Sequence, residues 1–244
     1  MWYVIQTISG DEEIVLTLCE RLLDKALYSD LFIPRCIQKQ KQRRAGEPSG
    51  EWRKVRKVLF PGYLFIDTEA VQLERLQLQL PVIRAQSEGH MMKLVGTGGT
   101  VVPISRPEQE YLSGILNEEH IVTFSTGYIV DNQVVVTDGP LCGKEAAITH
   151  IDRHKKIAHI EVSAFQKKHP ARVGLEIVAK LTEENTQYAT IRSGAFAGMT
   201  GRVVEYQEKR EKVKMLVEVF GRLTPVTVGV GEVKVEEDKL GAER

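Results

Sequence analysis

The sequence predicts an α+β protein, with an N-terminal α/β sandwich followed by two small antiparallel β-barrels. Three observations predict it. Over roughly the first 117 residues, short β-prone runs alternate with segments of helical periodicity. From about Ile121 the helical period stops, and Val, Ile, Gly and Thr dominate. That second half also matches itself, without gaps, at a constant offset of 55 residues.

Trp2-Tyr3-Val4-Ile5 is a β-prone run at the start of the chain. Ser9-Gly10-Asp11-Glu12 has the spacing of a capping box and predicts a helix to about Leu27. That helix would bury Ile14, Val15, Leu18, Leu22 and Leu23. Leu31-Phe32-Ile33 reads as a second strand. In residues 35–57 the character changes: nine basic side chains meet only Glu47 and Glu51, a net of +7 in a chain whose 33 basic and 33 acidic residues cancel. The turn chemistry of residues 45–50 makes this a basic hairpin or loop. Such a protrusion is an electrostatic footprint for nucleic acid; the plainer reading is a solvated arm.

Residues 59–66, L-F-P-G-Y-L-F-I, carry three aromatics in a chain that is only 7% aromatic. Pro61-Gly62 predicts a bend, after which Tyr63 and Phe65 share one face and Leu64 and Ile66 the other. The rings are either core or an exposed docking edge. A helix with Val71, Leu73, Leu76 and Leu80 follows and should stop at Pro81, with Val82-Ile83 and Val101-Val102 as short strands. The glycines of residues 96–99 lack a P-loop pattern and are no phosphate cradle. Ser105-Arg106-Pro107-Glu108 is a second capping box, opening a helix lined by Tyr111, Leu112, Ile115 and Leu116.

In the repeat, Gly139 matches Gly194, Gly143 matches Gly198, Val162 matches Val217, Phe165 matches Phe220, Pro170 matches Pro225 and Gly174 matches Gly229. Each copy is about 50 residues of short alternating strands. Residues 205–219 hold a conflict, since their Glu, Lys, Arg and Met favour helix while Val213, Met215, Val217 and Val219 alternate as in a strand. We follow the alternation.

Cys19, Cys36 and Cys142 are an odd, widely spaced set, which suits a reducing cytosol. No apolar run reaches the length of a membrane span and no secretory signature precedes the first strand, so a cytoplasmic protein with no membrane partner is expected. No nucleophile elbow, carboxylate pair or zinc spacing points to an enzyme, and His150 and His154 read as surface residues without a metal.

Trp2-Tyr3-Val4-Ile5 with Gly10 and Glu12, and then Phe60-Pro61-Gly62-Tyr63-Leu64-Phe65, resemble the NGN domain of the NusG family of transcription elongation factors. Val136-Thr137-Asp138-Gly139-Pro140-Leu141-Cys142-Gly143 resembles the opening of a KOW domain. Gly194-Ala195-Phe196-Ala197-Gly198, with Phe220-Gly221-Arg222-Leu223-Thr224-Pro225-Val226, is similar to the KOW domain of the housekeeping members. The resemblance implies an NGN domain over 1–117, a linker over 118–126, an SH3-like KOW barrel over 127–180, a linker over 181–186 and a second barrel over 187–240. The usual plan has one KOW, so the second is a departure. The first copy resembles specialised members of the RfaH and LoaP kind, but Phe165-Gln166-Lys167-Lys168-His169-Pro170 lacks the family's Gly-Arg.

The resemblance implies a non-catalytic factor without cofactors, a monomer that binds RNA polymerase and suppresses pausing and termination. Phe60, Tyr63 and Phe65 would dock on the clamp helices of the polymerase largest subunit. Lys39, Lys41, Arg43, Arg44, Arg53 and Lys54 would contact nascent RNA or non-template DNA. Arg21 alone matches the helix residues with which RfaH-type members recognise a paused DNA hairpin. Phe220 and Arg222 would bind a small-subunit ribosomal protein or Rho. A specialised antiterminator, a housekeeping factor and a KOW-containing ribosome-associated RNA-binding protein are the three readings, in that order.

Overall fold

The computed structural model describes residues 1–44, 47–97, 100–164, 167–182, 186–207 and 210–235. In chain order they form β1 Trp2–Thr7, α1 Glu12–Leu22, β2 Asp30–Phe32, β3 Arg35–Arg44, β4 Glu47–Val58, β5 Tyr63–Asp67, α2 Leu73–Gln86, β6 Met91–Leu94, β7 Gly96–Thr97, β8 Thr100–Val101, α3 Arg106–Ser113 and β9 Ile121–Val122. Strands then take over: β10 Ser125–Val130, β11 Gln133–Asp138, β12 Ile148–Asp152, β13 Ile157–Ala164, β14 Lys167–Leu181, β15 Tyr188–Ile191, β16 Thr200–Gln207, β17 Lys212–Val219, β18 Arg222–Gly229 and β19 Val233–Val235. This is the α+β class expected. Two compact units result, one of Met1–Phe124 with Ala146–Leu175, the other of Ser125–Glu145 with Glu176–Arg244.

The first unit is built on an antiparallel sheet of order β2-β5-β1-β6. Tyr3 and Ile5 of β1 sit opposite Ile66 and Leu64 of β5, so these four side chains share one face. That face buries Val15 and Cys19 of α1 and Leu76, Leu80 and Ile83 of α2. The other face is aromatic, with Trp2, Phe32 and Phe65 side by side. β3 and β4 form the expected basic hairpin, registered from Arg35 opposite Val58 to Arg44 opposite Glu47, with β9 parallel to the start of β3. β12, β13 and the stretch of β14 up to Leu175 form an antiparallel ladder in the same unit.

Several local expectations change. Ser9 does not begin α1. The carboxylate of Glu12, 3% exposed, instead accepts the N–H groups of Gly10 at 3.0 Å and Gly62 at 2.6 Å. Burying that acid requires donors, and the loop and the Pro61-Gly62 turn supply them. The helix also ends at Leu22, before a single 3₁₀ turn at Lys25–Leu27, and leaves Ile14 46% exposed.

Pro81 does not stop α2, which continues to Gln86, so Val82-Ile83 is helical and not a strand. Pro81 and Gln77, whose carbonyl loses its donor, are both exposed, where water takes the N–H's place. An interior proline costs about 3 kcal/mol. Keeping buried Leu80 and Ile83 on one helix offsets this at roughly 2 kcal/mol each. Val71, expected in that helix, is exposed on the preceding 3₁₀ turn. Gly98 and Gly99 of the glycine-rich loop lie outside the described residues. The Ser105 capping box holds, with Glu108 accepting the Ser105 N–H at 2.9 Å and its hydroxyl at 2.8 Å.

In the second unit, β18-β17-β16-β15-β19 form an antiparallel sheet around Ile191, Val213, Met215, Val217, Val226 and Val228. Glu205–Gln207 close β16 and Lys212–Val219 form β17, in which Val213, Met215 and Val217 are all fully buried. A helix would swing Met215 to the opposite side from Val213 and Val217, so burial overrides propensity. β10, β11 and the C-terminal stretch of β14 belong to this unit, where Tyr128, Val130 and Leu181 share a cluster with Leu216. The strands of residues 125–181 are thus divided between the two units. The repeat's glycines adopt matching backbones, with φ of +92° and +86° at Gly139 and Gly194 and +78° and +85° at Gly143 and Gly198.

Candidate interaction surfaces

The aromatic face grows from the turn that precedes β5. Gly62, at φ +86°, passes its carbonyl to the Thr7 N–H at 2.8 Å, and a side chain there would stand 3.3 Å from the Thr7 oxygen. This turn brings Phe60 onto Phe65, with ring centres 6.2 Å apart, and Phe65 onto Phe32 at 5.4 Å. Phe60 and Phe65 are 2% and 0% exposed, while Tyr63 is half-buried. The side away from α1 and α2 is closed in part by β14. The His169 ring stands edge-on to Tyr63 at 5.7 Å and to Phe60 at 6.3 Å. Burial holds its imidazole below the ordinary pKa, so His169 is a neutral cover here. The Arg172 carbonyl accepts from Gln38 Nε2 at 2.8 Å and Cys36 Sγ at 3.1 Å. Gly174 lies so close to β3 that an added Cβ would fall 2.4 Å from the Ile37 oxygen and 2.2 Å from the Phe124 ring.

The basic hairpin keeps its charge outward. Arg53, Lys54 and Lys41 are exposed and Lys39 is half-buried, its ammonium 4.4 Å from the Phe124 ring centre. Arg43 and Arg44 lie in β3, but their side chains are outside the described residues. Arg35 is paired with Glu13, and Arg56 with Glu119 at 3.4 Å. Arg21 stands in the last turn of α1, on a different element from the hairpin. Two features escaped the sequence reading: Trp52 within the hairpin, and Lys156, whose ammonium lies 4.9 Å from the Trp52 ring centre. The signal for Trp52 was its place in a +7 segment, where an aromatic has no apolar neighbours to bury it.

In the second unit, Phe220 and Gly221 are the two central residues of the β17–β18 turn, at φ of +50° and +78°. Both positive angles make this a type I′ hairpin turn. Phe220 is 104% exposed, so it is no core residue. Arg222 extends from the turn to the Glu145 carboxylate at 3.4 Å and the Cys142 sulfur at 3.1 Å. Phe165 and Gln166, their counterparts in the first copy, lie outside the described residues. His150 sits on β12, 5.4 Å from the His159 ring, and His154 in the following turn. Among the described residues, no three His, Cys, Asp or Glu side chains gather to hold a metal ion, and no helix is long and apolar enough to cross a membrane.

Residues 1–112 match the family model described as transcription termination factor nusG, and residues 130–161 match the KOW motif. The transcription termination/antitermination protein NusG of Thermus thermophilus is 26% identical over 182 residues, covering 73% of this chain and 97% of that protein. Its counterpart in Deinococcus radiodurans is 24% identical over 238 residues, covering 95% of this chain and 97% of the other. Among solved structures, one described as domain interaction in Thermotoga maritima NusG aligns at 20% identity and a TM-score of 0.28, over 96% of this chain and 95% of that one. An Spt4:Spt5 complex in conformation B aligns at 14% identity and a TM-score of 0.25, over 98% of each chain. The first 112 residues thus carry the N-terminal domain of the NusG family of transcription factors, with a KOW motif behind it, and two NusG proteins span nearly their full lengths on this chain.

Proposed function

We propose that the chain is a transcription elongation factor that docks on RNA polymerase, bridges its cleft and suppresses pausing and termination, acting as a specialised antiterminator in the cytoplasm. The observation that carries this reading is the asymmetry of the first sheet. One face is sealed by two helices, whereas Phe60, Tyr63 and Phe65 on the other are covered in part by a strand from the following repeat copy. The cover is a strand added from a later part of the chain, so it is displaceable, and the face beneath is apolar enough to bind the clamp helices of the largest subunit. The basic hairpin then lies on nascent RNA or displaced DNA, and residues 127–180 and 187–240 serve as two KOW units. The test is Tyr63→Ala. Polymerase affinity should fall at least tenfold, the loss expected of a central aromatic anchor, with the melting midpoint little changed. A collapse of the midpoint with affinity per folded molecule intact would make Tyr63 structural only.

A second reading, a housekeeping factor, is favoured by the exposed Phe220 turn with Arg222 beside it, which suits a small-subunit ribosomal protein or Rho. Occupancy across nearly all transcribed genes supports this second reading. Occupancy on one or two long operons supports the first.

A further inference from the structure

We propose that Trp52 is the floor of a single-strand nucleic-acid subsite that the β3–β4 hairpin and the turn between β12 and β13 build together. The inference rests on the reading of the hairpin as a nucleic-acid contact and gives that contact a location and a chemistry. Trp52 pairs with Lys41 across the hairpin and shares its face, with the Lys41 ammonium 5.5 Å from the ring centre. From more than 100 residues further along the chain, Lys156 brings a second ammonium to 4.9 Å from the same ring. A groove of about 430 Å³ opens here, lined among others by Gln38, Gln40, Lys41, Trp52, His154 and Lys155. That volume lies within the range of about 300–1,000 Å³ typical of small-ligand clefts, enough for one nucleotide.

The chemistry selects the ligand. An indole ring in a basic groove offers a π-face on which any base stacks. The lysines that now sit over the ring have long, rotatable stems and swing to the phosphates on either side of a stacked base. Exposed Gln40 adds an amide, which donates to and accepts from base edges. Lys155 is tied to Asp152, its ammonium 3.2 Å from the carboxylate, and the ammonium groups beside the Trp52 ring are those of Lys41 and Lys156. An acidic peptide would use the same cations, but it would have no need of the indole.

The experiment titrates the full chain with oligo(U) RNA and oligo(dT) DNA of eight nucleotides, and with polyglutamate, following Trp emission. Trp2 is buried, so quenching reports Trp52. Saturable quenching by one or both oligonucleotides is expected, and the tighter of the two identifies RNA or DNA as the source. Trp52→Ala should weaken binding roughly tenfold and Trp52→Phe should restore most of it, because stacking survives. Lys155→Gln with Lys156→Gln should reduce the slope of log affinity against log salt by about 0.7 for each phosphate that is no longer neutralised. Arg53→Gln with Lys54→Gln separates the two readings. If that pair weakens binding while the Trp52 and Lys155–Lys156 variants bind as the wild type does, the hairpin contact stands and the composite subsite is overturned. If the wild type binds neither oligonucleotide at low salt, both fall. Equal binding of polyglutamate overturns the stacking floor.

Discussion

Replacing Phe220 with Asn should make the protein more stable while removing a partner. At full exposure the Phe220 ring loses no burial when truncated, so the usual penalty for deleting an aromatic is absent. Its backbone, at φ +50°, holds a bulky residue in the left-handed region, which disfavours side chains with a Cβ by about 1–2 kcal/mol. Asn tolerates that region, and Asn-Gly is the preferred pair for a type I′ turn. The neighbouring Gly221 is already in place at φ +78°, and the register of Val219 opposite Arg222 is unchanged by the substitution. A gain of roughly 1 kcal/mol follows, which for a chain of this length is about 2–4 °C in the melting midpoint. The assay is thermal denaturation of the full chain beside titration with the ribosomal protein and with Rho. Strain kept at an exposed hydrophobic residue is expected where the residue serves binding. Affinity for the partner should therefore be lost as stability rises. A lower midpoint would refute the strain argument, and undiminished affinity for both partners would refute the docking role.

Three further outcomes concern β14 over the first sheet. Gly174→Ala places a methyl group within 2.4 Å of the Ile37 oxygen, so it should destabilise the first unit by roughly 1–3 kcal/mol, read by chemical denaturation. Of the three thiols, exposed Cys142 should react with a disulfide reagent in the native protein. Cys36, bonded to the Arg172 carbonyl and raised to about 11 by burial, should react only when β14 leaves, so Gly174→Ala should expose it. His169 should make the contact pH-sensitive. Burial first, and Lys167 second, lower its folded pKa, against the Ala164 bond and Glu108, which raise it. The unfolded chain then binds the proton more readily. Stability is complete above the unfolded value of about 6.5 and declines as pH falls through it. His169→Phe should remove that part of the pH profile, measured by urea denaturation between about pH 7.5 and 5.5.

Much of this protein is determined by short-range chemistry. The Ser105–Glu108 box, the basic hairpin, the alternation of residues 212–219 and the matched turn glycines of the two copies each depend on neighbours a few residues away. Hydrogen bonds and side-chain period act at that distance, so the sequence alone carries them, as it carried the family through its motifs. Only the tertiary structure decided the rest. Helix α2 passes through Pro81 because Leu80 and Ile83 find a core built from β1 and β5. Glu12 abandons its capping role because Gly62, fifty residues away, offers a better-placed donor. Phe60 and Tyr63 met the His169 ring, and Trp52 met Lys156, across more than one hundred residues of chain. Such pairings follow from which surfaces bury the most apolar area together, a property of the assembled chain that no local window contains.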